Sequence, residues 1–288
     1  MVEIERLSKR FRRTSVLSGV DLCIPRGERV ALVGANGAGK TTLIRCLLGE
    51  YVCEGRVRIA GESPRRRRCE VLGRVGFVPQ LPPPLRMPVH ELLRFAADLC
   101  RSDPAQMVAV AERLGLGVEK LRRNAFVKLS GGQKQKLLIA VALGRPADLL
   151  VMDEPAANLD PEARRTFFEL LAERPPGTTM LISSHRLDEV APLAHRVIEL
   201  DGGDIVLDDR IAESGALTSQ LACRVELRES GHSVAQALRA WGFEANADET
   251  VFEGGVAGPD RLRFLGLLSR YSGLITALHL DEGEHADA

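Results

Sequence analysis

The stretch "RVALVGANGAGKTTLIRCLLGE", residues 29–50, decides the fold. A strand-like run, "RVALV", feeds a glycine-rich loop, and the amphipathic "TLIRCLLGE" follows with helical spacing of its apolar residues. Gly34, Gly39, Lys40 and Thr41 fit the pattern GxxxxGK[ST] in the strand–loop–helix context that gives the pattern its meaning. Along Gly34, Ala35, Asn36, Gly37, Ala38, Gly39, Lys40, Thr41 and Thr42, backbone N–H groups can turn toward phosphate oxygens. The helix that follows adds its positive N-terminal end. Lys40 supplies charge for the β and γ phosphates, and the Thr41 hydroxyl is a ligand for the Mg²⁺ that bridges them. Nucleoside triphosphate binding is the expected function of this segment, ahead of a purely structural glycine turn.

A second segment, "DLLVMDEP", places four apolar residues, Leu149 to Met152, before Asp153 and Glu154. It reads as a buried parallel strand. Ligands of open α/β sheets bind outside the carboxyl ends of the strands, where both acids emerge. Adjacent strand residues point to opposite faces, so Asp153 is expected on the metal and Glu154 on the attacking water.

The remaining composition is that of an ordinary globular chain. Hydrophobic residues make up 45% and charged residues 27% of 288, enough for one large domain and a small one. Lysine plus arginine equals aspartate plus glutamate at 39 each, so no global field attracts a polyanion and no nucleic acid partner is expected. Cys23, Cys46, Cys53, Cys69, Cys100 and Cys223 show no CxxC pair or zinc-finger spacing and read as reduced, packed thiols. The N-terminus lacks the apolar core of a signal peptide. The run "LLIAVAL", Leu137 to Leu143, is far shorter than the roughly 20 residues that cross a bilayer. A cytoplasmic protein is expected, with any membrane span on another chain.

Between these segments lies "LSGGQKQK", Leu129 to Lys136, which carries no nucleophile–base pair, metal-ligand spacing or aromatic stacker. Its local reading is Ser130 as a helix N-cap before an apolar-periodic helix.

Taken in order, these motifs resemble the ATP-binding subunit of the ABC (ATP-binding cassette) transporter family, over roughly residues 2–210. The resemblance implies an α/β P-loop NTPase core with a helical subdomain, hydrolysing ATP with Mg²⁺. "LSGGQ" is that family's signature, and Ser130, Gly131, Gly132 and Gln133 then bind the nucleotide of a second subunit, making the chain half of a homodimer or ATPase pair. Phe11 in "SKRFRR" corresponds to the aromatic that stacks on adenine. Gln80, closing "RVGFVPQ", corresponds to the glutamine that reaches Mg²⁺ or the lytic water, and residues 81–128 to the helical region leading to the signature. Asn158, Leu159 and Asp160 match the D-loop, and His185, ending "MLISSH", the switch histidine near the γ phosphate. Catalysis is thus assigned to Glu154, His185 and Gln80, and the metal to Thr41, Gln80 and Asp153. The implied partner is a separate transmembrane permease, of an exporter-type (ABC-2-like) system, with this chain peripheral on the inner face of the membrane. The alternative is a soluble relative acting on ribosomes or DNA; such proteins usually carry two cassettes or long coiled coils, and one cassette is seen.

The ATPase domain is expected to span residues 1–215, closing on the hairpin "RVIELDGGDIVLDD". Residues 216–288 read as a small α+β unit of ferredoxin-like βαββαβ order, whose Leu262, Phe264, Leu265 and Leu268 form a core face. Similar extensions occur in ATPases of exporter-type systems. The four arginines Arg65 to Arg68 read as a solvated surface stretch.

Overall fold

The computed structural model describes residues 1–185, 187–210, 220–228, 232–257, 264, 267, 268, 271 and 273–282. The chain divides into two compact units, Met1–Ile211 and Ala212–Ala288. The boundary expected at residue 215 lies outside the described residues.

The first unit is organised by a six-stranded sheet. In spatial order its strands are Val75–Val78, Leu149–Asp153, Thr179–Ser183, Arg29–Val33, Arg196–Asp201 and Asp204–Arg210. All neighbours are parallel except the last pair, the expected hairpin turning at Gly202 and Gly203. The strand Leu149–Asp153 is buried at every position, as a parallel strand covered on both faces must be. Register sets the site: Leu32 and Asp153 both pair with Ser183, so the ends of three adjacent strands are level. A separate antiparallel sheet, in the order Thr14–Ile24, Val2–Phe11, Glu54–Ile59, packs its apolar face into the cluster that also buries Leu43, Ile44 and Leu47 of the helix Lys40–Leu47.

Within the region expected to be helical, the chain forms helices Val89–Cys100, Pro104–Arg113 and Val118–Leu121. Asp103 caps the second, accepting from the Ala105 N–H at 2.8 Å, with Pro104 at its first position. Leu92, Leu93, Ala96 and Met107 of these helices meet Leu137 and Ala140 of the helix Gly131–Leu143. That helix turns its other residues, Ile139, Ala142 and Leu143, toward the sheet beside Leu150 and Met152. Burial on both sides accounts for the run "LLIAVAL" without a membrane; no helix among the described residues is long and apolar enough to span one.

The second unit holds strands Gln220–Leu227, Glu244–Ala245, Val251–Ala257 and Ile275–Glu282 and the helix His232–Ala240. The sheet is antiparallel, with Gln220–Leu227 between Val251–Ala257 and Ile275–Glu282, and Glu244–Ala245 at the outer edge beside Val251–Ala257. Phe264 and Leu268 are buried with Phe243 and Phe252, whereas the predicted core positions Leu262 and Leu265 lie outside the described residues. Phe243 and Phe264 stack at 4.9 Å between ring centroids.

The six cysteines are free, as expected. They are not uniformly packed: Cys46 and Cys223 are buried, while Cys23 and Cys69 are exposed.

Candidate active site

The strand Arg29–Val33 ends in the glycine loop, and the helix Lys40–Leu47 starts from Gly39 in a left-handed conformation at φ 110°. Gly34, at φ 145°, passes so close to the neighbouring strand that a Cβ there would lie 2.2 Å from the Leu200 carbonyl oxygen. Only glycine fits that approach. Lys40 curls back over the loop, its Nζ donating to the carbonyls of Gly34 at 2.7 Å and Ala35 at 3.2 Å. The buried ammonium also sits 3.9 Å from Glu154 Oε1.

A groove of about 320 Å³ runs over this loop, lined by Ala35, Asn36, Gly37, Gly39, Lys40, Thr41 and Thr42 together with Val16, Gln80 and Glu154. Gln80 arrives from the segment after the edge strand Val75–Val78, and Glu154 from the end of its neighbour. The structure therefore gathers most of the residues predicted for phosphate, metal and water around one opening. Gly34, Ala38, Asp153 and His185 are not among its walls; Ala38 and Asp153 are buried.

The two acids are separated differently from expectation. The strand ends at Asp153, and Glu154 leaves it at φ 49°, a left-handed conformation uncommon for a residue with a side chain. A turn, rather than the strand's alternation, aims Glu154 into the groove. The turn is held by a residue absent from the sequence reading: Ser183 Oγ accepts from the Glu154 backbone N–H at 2.9 Å and donates to Asp153 Oδ1 at 2.7 Å. Ser183 is fully buried on the strand between the two motifs. Its signal is a run of apolar residues, "MLI", ending in polar "SSH". Replacing it with alanine leaves a buried N–H unpaired, so Ser183→Ala is expected to lose about 1–3 kcal/mol of stability and roughly tenfold in turnover. Denaturant unfolding and steady-state ATPase assays check both; an unchanged turnover would remove Ser183 from the positioning of the acids.

His185 Nδ1 lies 2.7 Å from Glu154 Oε2, so the glutamate is held by Lys40 on one oxygen and the histidine on the other. His185 itself is about half exposed, on the open side of the site.

The signature residues are placed elsewhere. Ser130 caps the helix Gly131–Leu143: its Oγ accepts from the Gln133 N–H at 3.2 Å, and Gln133 Oε1 accepts from the Ser130 N–H at 3.0 Å. This reciprocal pair is the capping box, and it starts the helix two residues earlier than Gln133. None of Ser130, Gly131, Gly132 or Gln133 lines the groove of its own chain. Lys136, on the same helix, pairs with Asp160 Oδ2 at 2.7 Å, while Asp160 Oδ1 accepts from the Ala163 N–H and caps the helix Pro161–Ala172. The Lys136 ammonium, with that backbone N–H, holds the Asp160 carboxyl below its usual range. A Cβ on Gly132 would meet the Asn158 carbonyl oxygen at 3.1 Å, so the backbone at Asn158 comes close to the start of this helix at a glycine.

Phe11 stands outside the groove lining, at the end of strand Val2–Phe11. It is partly exposed, edge-on to Tyr51 at 5.3 Å, with Lys9 Nζ 4.7 Å from its ring centroid.

A glycine loop cradling a lysine at the head of a parallel strand, with an acid pair two strands away across Thr179–Ser183, defines a P-loop nucleoside triphosphatase. Residues 17–157 match the family model described as ABC transporter. The phosphonates import ATP-binding protein PhnC of Stutzerimonas stutzeri is 33% identical, over 76% of this chain and 87% of its own. The Nod factor export ATP-binding protein I of Paraburkholderia xenovorans is 34% identical, over 78% and 75%. A solved ATP-binding subunit of an ABC transporter superposes with TM-score 0.66 at 27% identity, over 73% of this chain and 90% of that one. The chain belongs to the ABC transporter family: it is an ATP-binding, ATP-hydrolysing subunit, and the soluble alternative is not favoured.

Proposed function

We propose that two copies of the chain, or this chain and a related ATPase, form paired sites in which the groove of one subunit is closed by the helix start at Ser130–Gln133 of the other, and that the pair drives a separate transmembrane permease. The observation carrying this is the capped N-terminus of helix Gly131–Leu143, with small residues at its first turn, set apart from its own groove. A helix N-terminus attracts phosphate, and glycines let it approach closely.

In this reading ATP lies with its phosphates along residues 34–42 and its adenine against Phe11. The hydroxyl, amide and carboxylate of Thr41, Gln80 and Asp153 are hard oxygen donors that suit Mg²⁺. When bound, Mg²⁺ spreads the charge of the β and γ phosphates. Lys40 neutralises the same groups, Glu154 orients and deprotonates the water, and Gln80 and His185 couple that geometry to the γ phosphate. Asp160 acts through position, tying the D-loop to the signature helix through Lys136.

We read the second unit as a ferredoxin-like fold, supported by its strand order, with the first strand central and the second at the edge. The relatives above include an importer and an exporter at nearly equal identity, so our reading of export as the direction of transport rests on that extension alone.

Solubilised membranes from cells making the tagged chain test the partner. A polytopic membrane protein should co-purify in stoichiometric amount; association with ribosomes or nucleic acid and no membrane protein would reject the transport reading.

A further inference from the structure

Away from the groove, the last turn of helix Lys40–Leu47 carries Cys46, and Cys53 precedes the strand Glu54–Ile59. Cys46 belongs to the apolar cluster of the first unit and Cys53 packs against it, and each thiol shifts the titration of the other. Both line a cavity of about 710 Å³ whose other walls include Arg56, Arg58, Arg65 and Arg66. All four arginines of the run at 65–68 are exposed, as expected, and two of them also line this cavity. Arg67 is spent on Glu62 and Glu70, and Arg68 donates to the Leu48 carbonyl. Arg58, Arg65 and Arg66 have no carboxylate partner among the described residues, leaving the cavity wall positively charged beside the two sulfurs.

We propose that Cys46 and Cys53 are a dithiol modification site that exchanges with a small, carboxylate-bearing disulfide and closes to an intramolecular disulfide. This stands apart from the nucleotide site.

The two thiols are unequal, which fixes the order of events. The Cys46 thiol, helped by Arg65 and Lys9, brings the Cys53 thiol down to about 7 against the opposing effect of burial. The Cys53 thiol, and burial, push Cys46 up. Cys46 is 1% exposed and inaccessible to a disulfide from solvent, whereas Cys53 is partly open. The Cys53 thiolate attacks one sulfur of the incoming disulfide, forming a mixed disulfide and expelling the first small thiolate, which takes a proton from water. Cys46 then loses its proton to solvent and attacks the Cys53 sulfur. The mixed bond breaks and the second small thiol leaves. The protein loses two protons and two electrons, and the small disulfide is reduced to two thiols. The closed bond tethers the end of the P-loop helix to the start of strand Glu54–Ile59.

At pH 7 a thiol near 7 has roughly fifteen times the thiolate fraction of an ordinary cysteine, and its lower nucleophilicity takes back about a factor of five. Cys53 should therefore react about threefold faster than an unperturbed exposed thiol, before attraction of an anion by the arginines is added.

The exposed Cys23 and Cys69 serve as internal standards. The reduced full-length protein is exposed to oxidised glutathione at pH 7, quenched at intervals with acid and mapped by peptide mass spectrometry. Cys53 should acquire glutathione at least about threefold faster than Cys23 or Cys69, and the adduct should convert to a Cys46–Cys53 link. Cys46→Ser should stall at the Cys53 adduct, and Arg65→Gln with Arg66→Gln should slow reaction with oxidised glutathione but not with neutral 2-hydroxyethyl disulfide. Reaction at Cys53 no faster than at the two standards, absence of the link in the unmutated protein, or an unchanged charge preference would each overturn the proposal. These readouts need no ATP hydrolysis, so they stand or fall separately from the proposed transport function.

Discussion

Glu154→Gln is expected to bind ATP as tightly as the unaltered protein or more tightly, while its turnover falls by about 10²–10⁴-fold, the range for loss of a general base. The exchange keeps the size of the side chain and its capacity to face His185 Nδ1 and Lys40, which flank it at 2.7 Å and 3.9 Å. It removes the one anion that, among the described residues, lines the groove beside Lys40. That anion repels the γ phosphate in the bound state, so neutralising it favours binding. In the proposed mechanism it also takes the proton of the attacking water, so neutralising it stops chemistry. The left-handed turn that aims Glu154 is held through its backbone N–H by Ser183 and survives the exchange. Equilibrium nucleotide binding together with single-turnover hydrolysis separates the two effects. Turnover within a few-fold of the unaltered protein would transfer the water-activating role to another group.

The parts of this site that the sequence made legible are those in which spacing and environment are local. The loop at residues 34–42 is written out consecutively between a strand and a helix. The strand before Asp153 announces itself by four apolar residues in a row, and the Ser130 cap by a serine three residues ahead of a glutamine. The illegible parts are products of register between distant segments. Ser183 bridges Asp153 and Glu154 only because their strands are adjacent and level. The left-handed turn at Glu154 has no glycine or asparagine to mark it, so the pleat was the natural and incorrect guide. Lys136 meets Asp160 only because helix Pro161–Ala172 starts beside it. The arginines at 65–68 are exposed as the sequence suggests, but nothing local shows that two of them line a cavity together with Cys46 and Cys53.

Lys40→Ala and Ser130→Arg are each expected to abolish ATPase activity when pure, for different reasons. The first removes the only lysine or arginine lining the groove among the described residues. The second sets a bulky side chain at the start of helix Gly131–Leu143, where the proposed composite site brings a phosphate, and costs that helix about 1 kcal/mol through its lost cap. Thermal unfolding of each variant checks that the fold is retained. If each groove used the signature of its own chain, a mixed dimer would contain two damaged sites, one from each variant. If the signature acts on the opposite groove, both lesions fall in one site and the other is intact.

The most direct measurement is therefore ATPase activity after mixing the two inactive variants in equal amounts and allowing subunits to exchange. With half of the dimers mixed and one of two sites intact in each, independent sites give roughly a quarter of the activity of the unaltered protein. Recovery toward that level, with mixed dimers demonstrated by differential tags, is the result the composite site predicts. Mixed dimers that form and remain as inactive as either variant alone would contradict it.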